Sequence, residues 1–286
     1  MTRLMFVGYH RIIESVLTLQ FDRFLLPAPE RTIIYLGPIP EDDQFYGVDL
    51  LELYQSFGIK TDRFRVVQDP PVNENLNFRK HGNWIGQQLL KLMAIDACLD
   101  DEILLQDCDT FAIQPYQYFK QHEPITFVLQ AETHSPEYYE YITKFLDIPR
   151  QNNDSFVTEF LPIKKINWFS LRARIEELHQ KPWLQAMLDI FGQDHKPGVS
   201  LWFAEFEMLG NWFLYKNPSM KMIYQKRLNF DSSSLNAYRL TGKMQRQMPF
   251  SHYNCFCIKL YDKPNQLTLA EIPQIADYIN CNIYTG

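Results

Sequence analysis

Glu102-Ile103-Leu104-Leu105-Gln106-Asp107-Cys108-Asp109-Thr110 is the stretch on which the fold of this chain turns. The run over residues 103–106 reads as a short buried strand. It ends in two acids separated by one residue. On an extended chain, residues i and i+2 point to the same side, so the carboxylates of Asp107 and Asp109 share a face. Where the strand opens into a turn, both can converge on one ion. Hard divalent cations such as Mn²⁺ or Mg²⁺ take carboxylate oxygens together with phosphate oxygens and water. Asp-x-Asp alone recurs by chance in turns and helix caps, so its setting decides what it means.

Working outward, residues 4–7, 32–36, 64–67 and 125–129 read as further strands. Helical spacing runs through residues 12–26, 48–57 and 85–99. Strand and helix alternate, which predicts an α/β fold with a mostly parallel sheet flanked by helices. Such sheets bind ligands beyond the carboxyl ends of their strands, where strand order switches. The second half is predicted to be less regular. Residues 171–190 read as a helix broken or kinked at Pro182, and residues 192–198 as a loop. Phe203, Phe206, Gly210 and Phe213 then recur at helical spacing. From residue 222 the chain is rich in Gln, Asn, Ser and Tyr and gives no assignment. With no repeat and no low-complexity linker, residues 1–286 read as one domain whose texture changes near 125–130.

The composition narrows the function. Hydrophobic residues make up 46% and charged residues 22%, an ordinary globular balance. Aromatics reach 15%, enough for a broad core or for a cleft walled by rings. The net charge of -6 shows no basic face, and Lys164-Lys165 with Lys221, Lys226 and Arg227 are too sparse to make one, so no nucleic-acid partner is expected. The five cysteines are odd in number, and Cys255-Phe256-Cys257 lacks the two-residue gap of a zinc knuckle. Reduced thiols in the cytoplasm are the expectation. No leader is evident, and no run approaches the ~20 apolar residues of a membrane span.

The strand-terminal Asp107-Cys108-Asp109 after an alternating half resembles the GT-A glycosyltransferases. Four segments resemble, more specifically, the DUF6492 family: Trp84-Ile85-Gly86-Gln87-Gln88-Leu89-Leu90-Lys91-Leu92, then Asp107-Cys108-Asp109, then Phe156-Val157-Thr158-Glu159, then Phe203-Ala204-Glu205-Phe206-Glu207-Met208-Leu209-Gly210-Asn211. They span residues 84–211 in the order that family shows. The resemblance implies a metal-dependent transferase moving a sugar from a nucleoside diphosphate sugar to an acceptor hydroxyl. Residues 1–125 would form its nucleotide-sugar half and residues 126–286 its acceptor-side half. It implies that Asp107 and Asp109 hold the metal and diphosphate, with Cys108 between them. It also implies that the loop after the first strand, Tyr9-His10-Arg11, contacts the nucleotide, with Tyr9 stacking on the base.

Other residues take expected roles beside these. On a helical wheel Ile85, Leu89 and Leu92 form one stripe, while Gln87 and Lys91 lie on another with Gln88 beside them. Gln88 and Lys91 are the preferred diphosphate contacts; Arg79 and Lys80 are rivals. Inverting relatives carry a Glu-Asp-x-Glu-Leu-like run whose Asp deprotonates the acceptor. On that pattern Glu205 falls at the base and Glu207 at the later acid, although Ala204 replaces the first acid and Glu replaces Asp. In the first turn of a helix the dipole favours an ionised Glu205, which is the form a general base needs. The resemblance suggests His252 as a third metal ligand. Glu132-Thr133-His134 is a candidate lining of the sugar or acceptor site, and Gln106 and Thr110 are candidate supports of the metal ligands. Two alternatives stay open. A nucleotidyltransferase would need a glycine- and lysine-rich loop after the first strand, and Gly8-Tyr9-His10 has one glycine and no lysine. A catalytically silent nucleotide-sugar-binding module would keep the same fold.

Overall fold

A computed structural model describes residues 1–68, 78–128, 136–193, 203–242, 250–260 and 267–283. Its longer strands are β1 (Thr2–Val7), β2 (Arg31–Leu36), β3 (Phe64–Gln68), β4 (Glu102–Asp107), β5 (Thr110–Ala112), β6 (Thr126–Val128), β7 (Phe160–Lys164), β8 (Met222–Tyr224), β9 (Arg227–Asp231) and β10 (Cys255–Lys259). The helices are α1 (Ile12–Gln20), α2 (Leu50–Ser56), α3 (Phe78–Ala97), α4 (Pro136–Leu146), α5 (Lys165–His179), α6 (Trp183–Gln193), α7 (Glu205–Lys216), α8 (Ser232–Thr241) and α9 (Ile272–Ile283).

The largest sheet has five strands in the order β7-β4-β1-β2-β3. β1 and β2 are parallel, with Thr2 opposite Arg31 and Val7 opposite Leu36. β2 and β3 are parallel too, with Thr32 opposite Phe64. This is the predicted α/β class. β1 carries β2 on one side and β4 on the other, so strand order reverses there. The carboxyl ends of these two strands mark the position at which such sheets take ligands. All six residues of β1 are buried, which is why it reads as a continuous run rather than an alternating one.

Several elements differ from their sequence-based expectation. Residues 12–26 do not form one helix: α1 stops at Gln20, a short 3-10 turn spans Asp22–Phe24, and Leu25–Leu26 is extended. Asp22 is drawn away to bind Arg3, which ends the helix in spite of the apolar run. The break expected at Pro182 is present, by contrast, and residues 171–190 belong to two helices. Gln180 takes a left-handed conformation (φ 52°) after α5, and Pro182 lies just ahead of α6, where a missing N–H costs nothing. The fifth expected strand, now β6, does not belong to the main sheet but pairs with β8. The second half is more regular than predicted, because the polar segment from residue 222 supplies β8, β9, α8 and β10.

The chain divides into two compact units. The first comprises Met1–Pro71, Gln106–Phe119 and Gln225–Gly286; the second comprises Val72–Leu105 and Lys120–Tyr224. In the first unit a second sheet, β9-β10-β5, lies in the same hydrophobic core as α1, α2 and α9. A file of rings runs through that core. Phe21 stacks on Phe111 at 4.5 Å between centroids, and Phe111 stacks on Phe256 at 5.1 Å. Offset stacks of this kind add about 0.5–1.5 kcal/mol each beyond area burial.

In the second unit α7 packs on α3, α4 and α5. Lys165 Nζ donates to the carbonyls of Ile95 and Asp96 at 2.6 and 2.7 Å. A cation there satisfies the last turn of α3 and complements its dipole. Trp168 Nε1 donates to the Asp96 carboxylate at 2.7 Å. Gly210 allows α7 to meet the chain at Phe156, since a Cβ at 210 would stand 2.2 Å from Phe156 Cγ.

Candidate functional site

The acid turn lies in the first unit. Along Asp107-Cys108-Asp109 exposure alternates, with the two acids half-buried and Cys108 buried, as the strand period requires. Cys108 joins the hydrophobic core. Burial, and then the charge of Asp109, push its thiol well above the usual cysteine range. The residue between the acids is therefore a neutral core group, and only its backbone is available to a ligand. Its carbonyl already accepts from Thr18 Oγ1 at 2.7 Å, which ties α1 to the turn.

Behind the turn stands a buried polar brace. Arg3, with no exposed surface, donates through Nη1 and Nη2 to the two carboxylate oxygens of Asp22 at 2.5 and 2.7 Å. It also donates to Thr32 Oγ1 at 3.0 Å and to Gln106 Oε1 at 3.4 Å. Gln106 in turn donates from Nε2 to the Thr110 carbonyl at 2.8 Å. Gln106 thus ties the end of β4 to the Thr110 backbone across the turn. On the far side the Asp109 carbonyl accepts from the Ile258 amide at 2.8 Å, and Thr110 lies opposite Cys257 in the β5–β10 ladder. The backbone of the turn is held from both directions.

Tyr9-His10-Arg11 forms a 3-10 turn after β1, closed by the Arg11 amide donating to the Gly8 carbonyl at 2.8 Å. The ring of Tyr9 lies outside the described residues. His10 is exposed and its imidazole lies over Gly8; a Cβ at Gly8 would come within 3.0 Å of its ring. Partial desolvation, and then the neighbouring Arg11 charge, hold its pKa below the ordinary histidine value. The Arg11 guanidinium lies 3.8 Å from Asp109 Oδ2 and 3.2 Å from Glu14 Oε1. Burial raises the Glu14 carboxyl above the ordinary range, with Arg11 opposing that shift. The sequence reading misses Glu14, although its spacing of three residues from Arg11 on a helix start is a legible ion-pair signal.

Asp107 and Asp109, partly exposed carboxylates at and just beyond the end of β4, are donors of the kind a hard divalent ion takes. Cys257, also missed, has its Sγ within 4.8 Å of the Asp109 carboxylate. As a buried soft donor it suits such an ion poorly. Among the described residues, no group of three His, Cys, Asp or Glu side chains at that mutual distance includes Asp107 or His252. His252 is the exposed last residue of a 3-10 turn at Phe250–His252, whose Phe250 is buried in the core. Glu132, Thr133 and His134 lie outside the described residues, as do the side chains of Arg79 and Lys80.

The remaining expected residues belong to the second unit. Glu205 and Glu207 open α7, with Ala204 as its N-cap, and both are buried rather than solvated. Lys91 Nζ donates to Glu205 Oε1 at 2.6 Å and lies 4.7 Å from the centre of the Phe206 ring. Gln88, one turn back on α3, is buried as well. Glu207 Oε1 accepts from Ser155 Oγ at 2.7 Å, the Phe156 amide at 3.2 Å and Tyr139 OH at 3.2 Å. Burial raises its carboxyl above the ordinary range, against the pull of those hydrogen bonds. Ser155 and Tyr139 were not legible as its partners, because only the folded chain brings three distant segments together.

No family model matches the chain, and no curated protein matches it. Solved structures similar to it include glycosyltransferases. An active-site mutant of LgtC is 11% identical with a TM-score of 0.46, over 97% of this chain and 96% of that one. The galactosyltransferase LgtC in complex with donor and acceptor sugar analogs is 10% identical with a TM-score of 0.44, over the same shares. The apo form of the glycosyltransferase GlyE of Streptococcus pneumoniae is 10% identical with a TM-score of 0.46, over 98% of this chain and 63% of that one.

Proposed function

We propose that this chain is a metal-dependent glycosyltransferase that moves a sugar from a nucleoside diphosphate sugar to an acceptor hydroxyl. The observation that carries the reading is the acid turn: Asp107 ends β4 and Asp109 lies in the turn just after it, both partly exposed, beside the point where strand order reverses. Asp107 and Asp109 would hold Mn²⁺ or Mg²⁺. The ion would supply neutralisation of charge developing on the leaving diphosphate. Arg11 and His10, on the turn after β1, offer donors to phosphate oxygens, and a guanidinium suits them well. Glu205 is the proposed base for the acceptor hydroxyl, with Lys91 as its counter-charge, and direct displacement would invert the anomeric centre. Glu207 would hold the start of α7 in place. A likeness to the DUF6492 family and a cytoplasmic setting belong to the same reading.

A thermal-shift panel of nucleotide sugars, with and without Mn²⁺, tests it. One nucleotide should raise the melting temperature in the presence of metal, and a chelator should abolish the shift. If no nucleotide shifts the melt at any metal concentration, the reading fails. NMR of the product then tests the stereochemistry, and retained configuration would remove Glu205 from the role of base in a direct displacement.

A further inference from the structure

We propose that Arg11 is a built-in competitor for the metal at Asp109, so that this side chain sets how tightly the acid turn holds a divalent ion. The inference rests on the metal-dependent reading above and goes further, by assigning the control of the ion to one residue.

The geometry behind it is local. Arg11 Nη1 is 3.8 Å from Asp109 Oδ2 and 3.2 Å from Glu14 Oε1. Glu14 is 3% exposed, whereas Asp109 is 19% exposed, so the guanidinium bridges a buried acid and a reachable one. Glu14 pins the cation from below, and the Gly8–Arg11 backbone hydrogen bond fixes the turn that carries it. A divalent ion arriving at Asp109 therefore meets a charge already facing the same oxygen. A carboxylate can serve two cations only by dividing its oxygens between them, and the two like charges repel a few ångströms apart, so the ion and the guanidinium compete for Asp109. Glu14 offers the guanidinium a second anion to stay with when the ion takes Asp109. A diphosphate delivered with the ion offers it another, because a planar fork of donors matches phosphate oxygens. Arg11 then favours a metal that arrives with its nucleotide over a metal alone.

The test is a direct Mn²⁺ titration, with free Mn²⁺ read by electron paramagnetic resonance, so that no turnover is involved. The variants are Arg11→Gln, Arg11→Met and, as a charge control, Arg31→Gln at the exposed start of β2. Circular dichroism melts establish that each is folded. Both Arg11 variants should bind Mn²⁺ about tenfold tighter than the parent, the scale of one lost charge contact near a surface. Arg31→Gln should stay within about twofold, since its charge is screened. Adding UDP or GDP should tighten Mn²⁺ binding in the parent far more than in the Arg11 variants. If the parent binds Mn²⁺ and the Arg11 variants bind it no tighter, the competitor role is overturned while the metal-dependent reading stands. Equal tightening by Arg31→Gln would likewise overturn it, in favour of net charge alone. If no variant takes up Mn²⁺, the metal reading itself has failed and the competitor falls with it. Binding by the Arg11 variants where the parent shows none supports the proposal.

Discussion

Lys91 Nζ lies 2.6 Å from Glu205 Oε1, and each side chain is only 2% exposed. A pair this deep is costly to break from one side, because the surviving charge stays buried. Lys91→Met should therefore destabilise the fold by about 3–5 kcal/mol. The double variant Lys91→Met/Glu205→Gln should recover part of that loss. Urea melts of both read the coupling, and simple additivity of the two single effects would refute it.

Stability should fall with pH through Glu207. Burial raises its carboxyl above the ordinary value of 4.5 in the folded state. A group whose folded pKa is raised binds its proton more tightly when folded. Its contribution is therefore complete below the unfolded pKa and lost as pH rises through the folded one. Glu14, raised for the same reason, acts in the same direction. In Glu207→Gln the amide does not ionise, so its melting temperature should gain on the parent as pH climbs from 4 towards neutrality. A difference that shrinks with pH would count against this account.

Gly210→Ala should destabilise by about 1–3 kcal/mol or more, the usual cost of overpacking. The new Cβ would stand 2.2 Å from Phe156 Cγ, so either that ring or α7 must move. Because the Phe156 amide donates to Glu207, the shift should also weaken that acid's hydrogen bonds. The urea midpoint reads the first effect. The pH dependence of melting reads the second.

Asp109→Asn should lower metal-dependent hydrolysis of the preferred nucleotide sugar by about a hundredfold, equivalent to ~2.7 kcal/mol of transition-state stabilisation. The fold should hold, since the backbone bond from Ile258 to the Asp109 carbonyl does not involve the carboxylate. Unchanged hydrolysis would remove Asp109 from the metal site.

What was legible in the sequence was local and apolar. β1 and β4 announce themselves as apolar runs because they are buried, and β2 and β3, less buried, still carry β-branched and aromatic residues. β7 did not, since Pro162 argues against a strand; yet β7 is an edge of the sheet, where a missing N–H is tolerated. β9 and β10 were hidden in a polar stretch. Their place depends on pairing with β5, more than a hundred residues earlier in the chain, and no local period encodes that. At the acid turn the two carboxylates could be read from their spacing, and Arg11 from its loop. Glu14 was legible as an i,i+3 partner of Arg11 and was passed over; Cys257 and the brace from Arg3 were not legible, because burial and partner choice decide what each does. Glu205 and Glu207 could be placed on a helix start, but not their partners, Lys91 for the one and Ser155 and Tyr139 for the other.

The bond from the Ile258 amide to the Asp109 carbonyl carries a consequence for biosynthesis. Asp109 leaves the ribosome long before Ile258 does. A nascent chain can thus display both acids while the strand that fastens them is still untranslated. The turn is therefore fastened only on chain completion, and fragments released early by stalled translation would carry both acids without the strand that holds the Asp109 backbone.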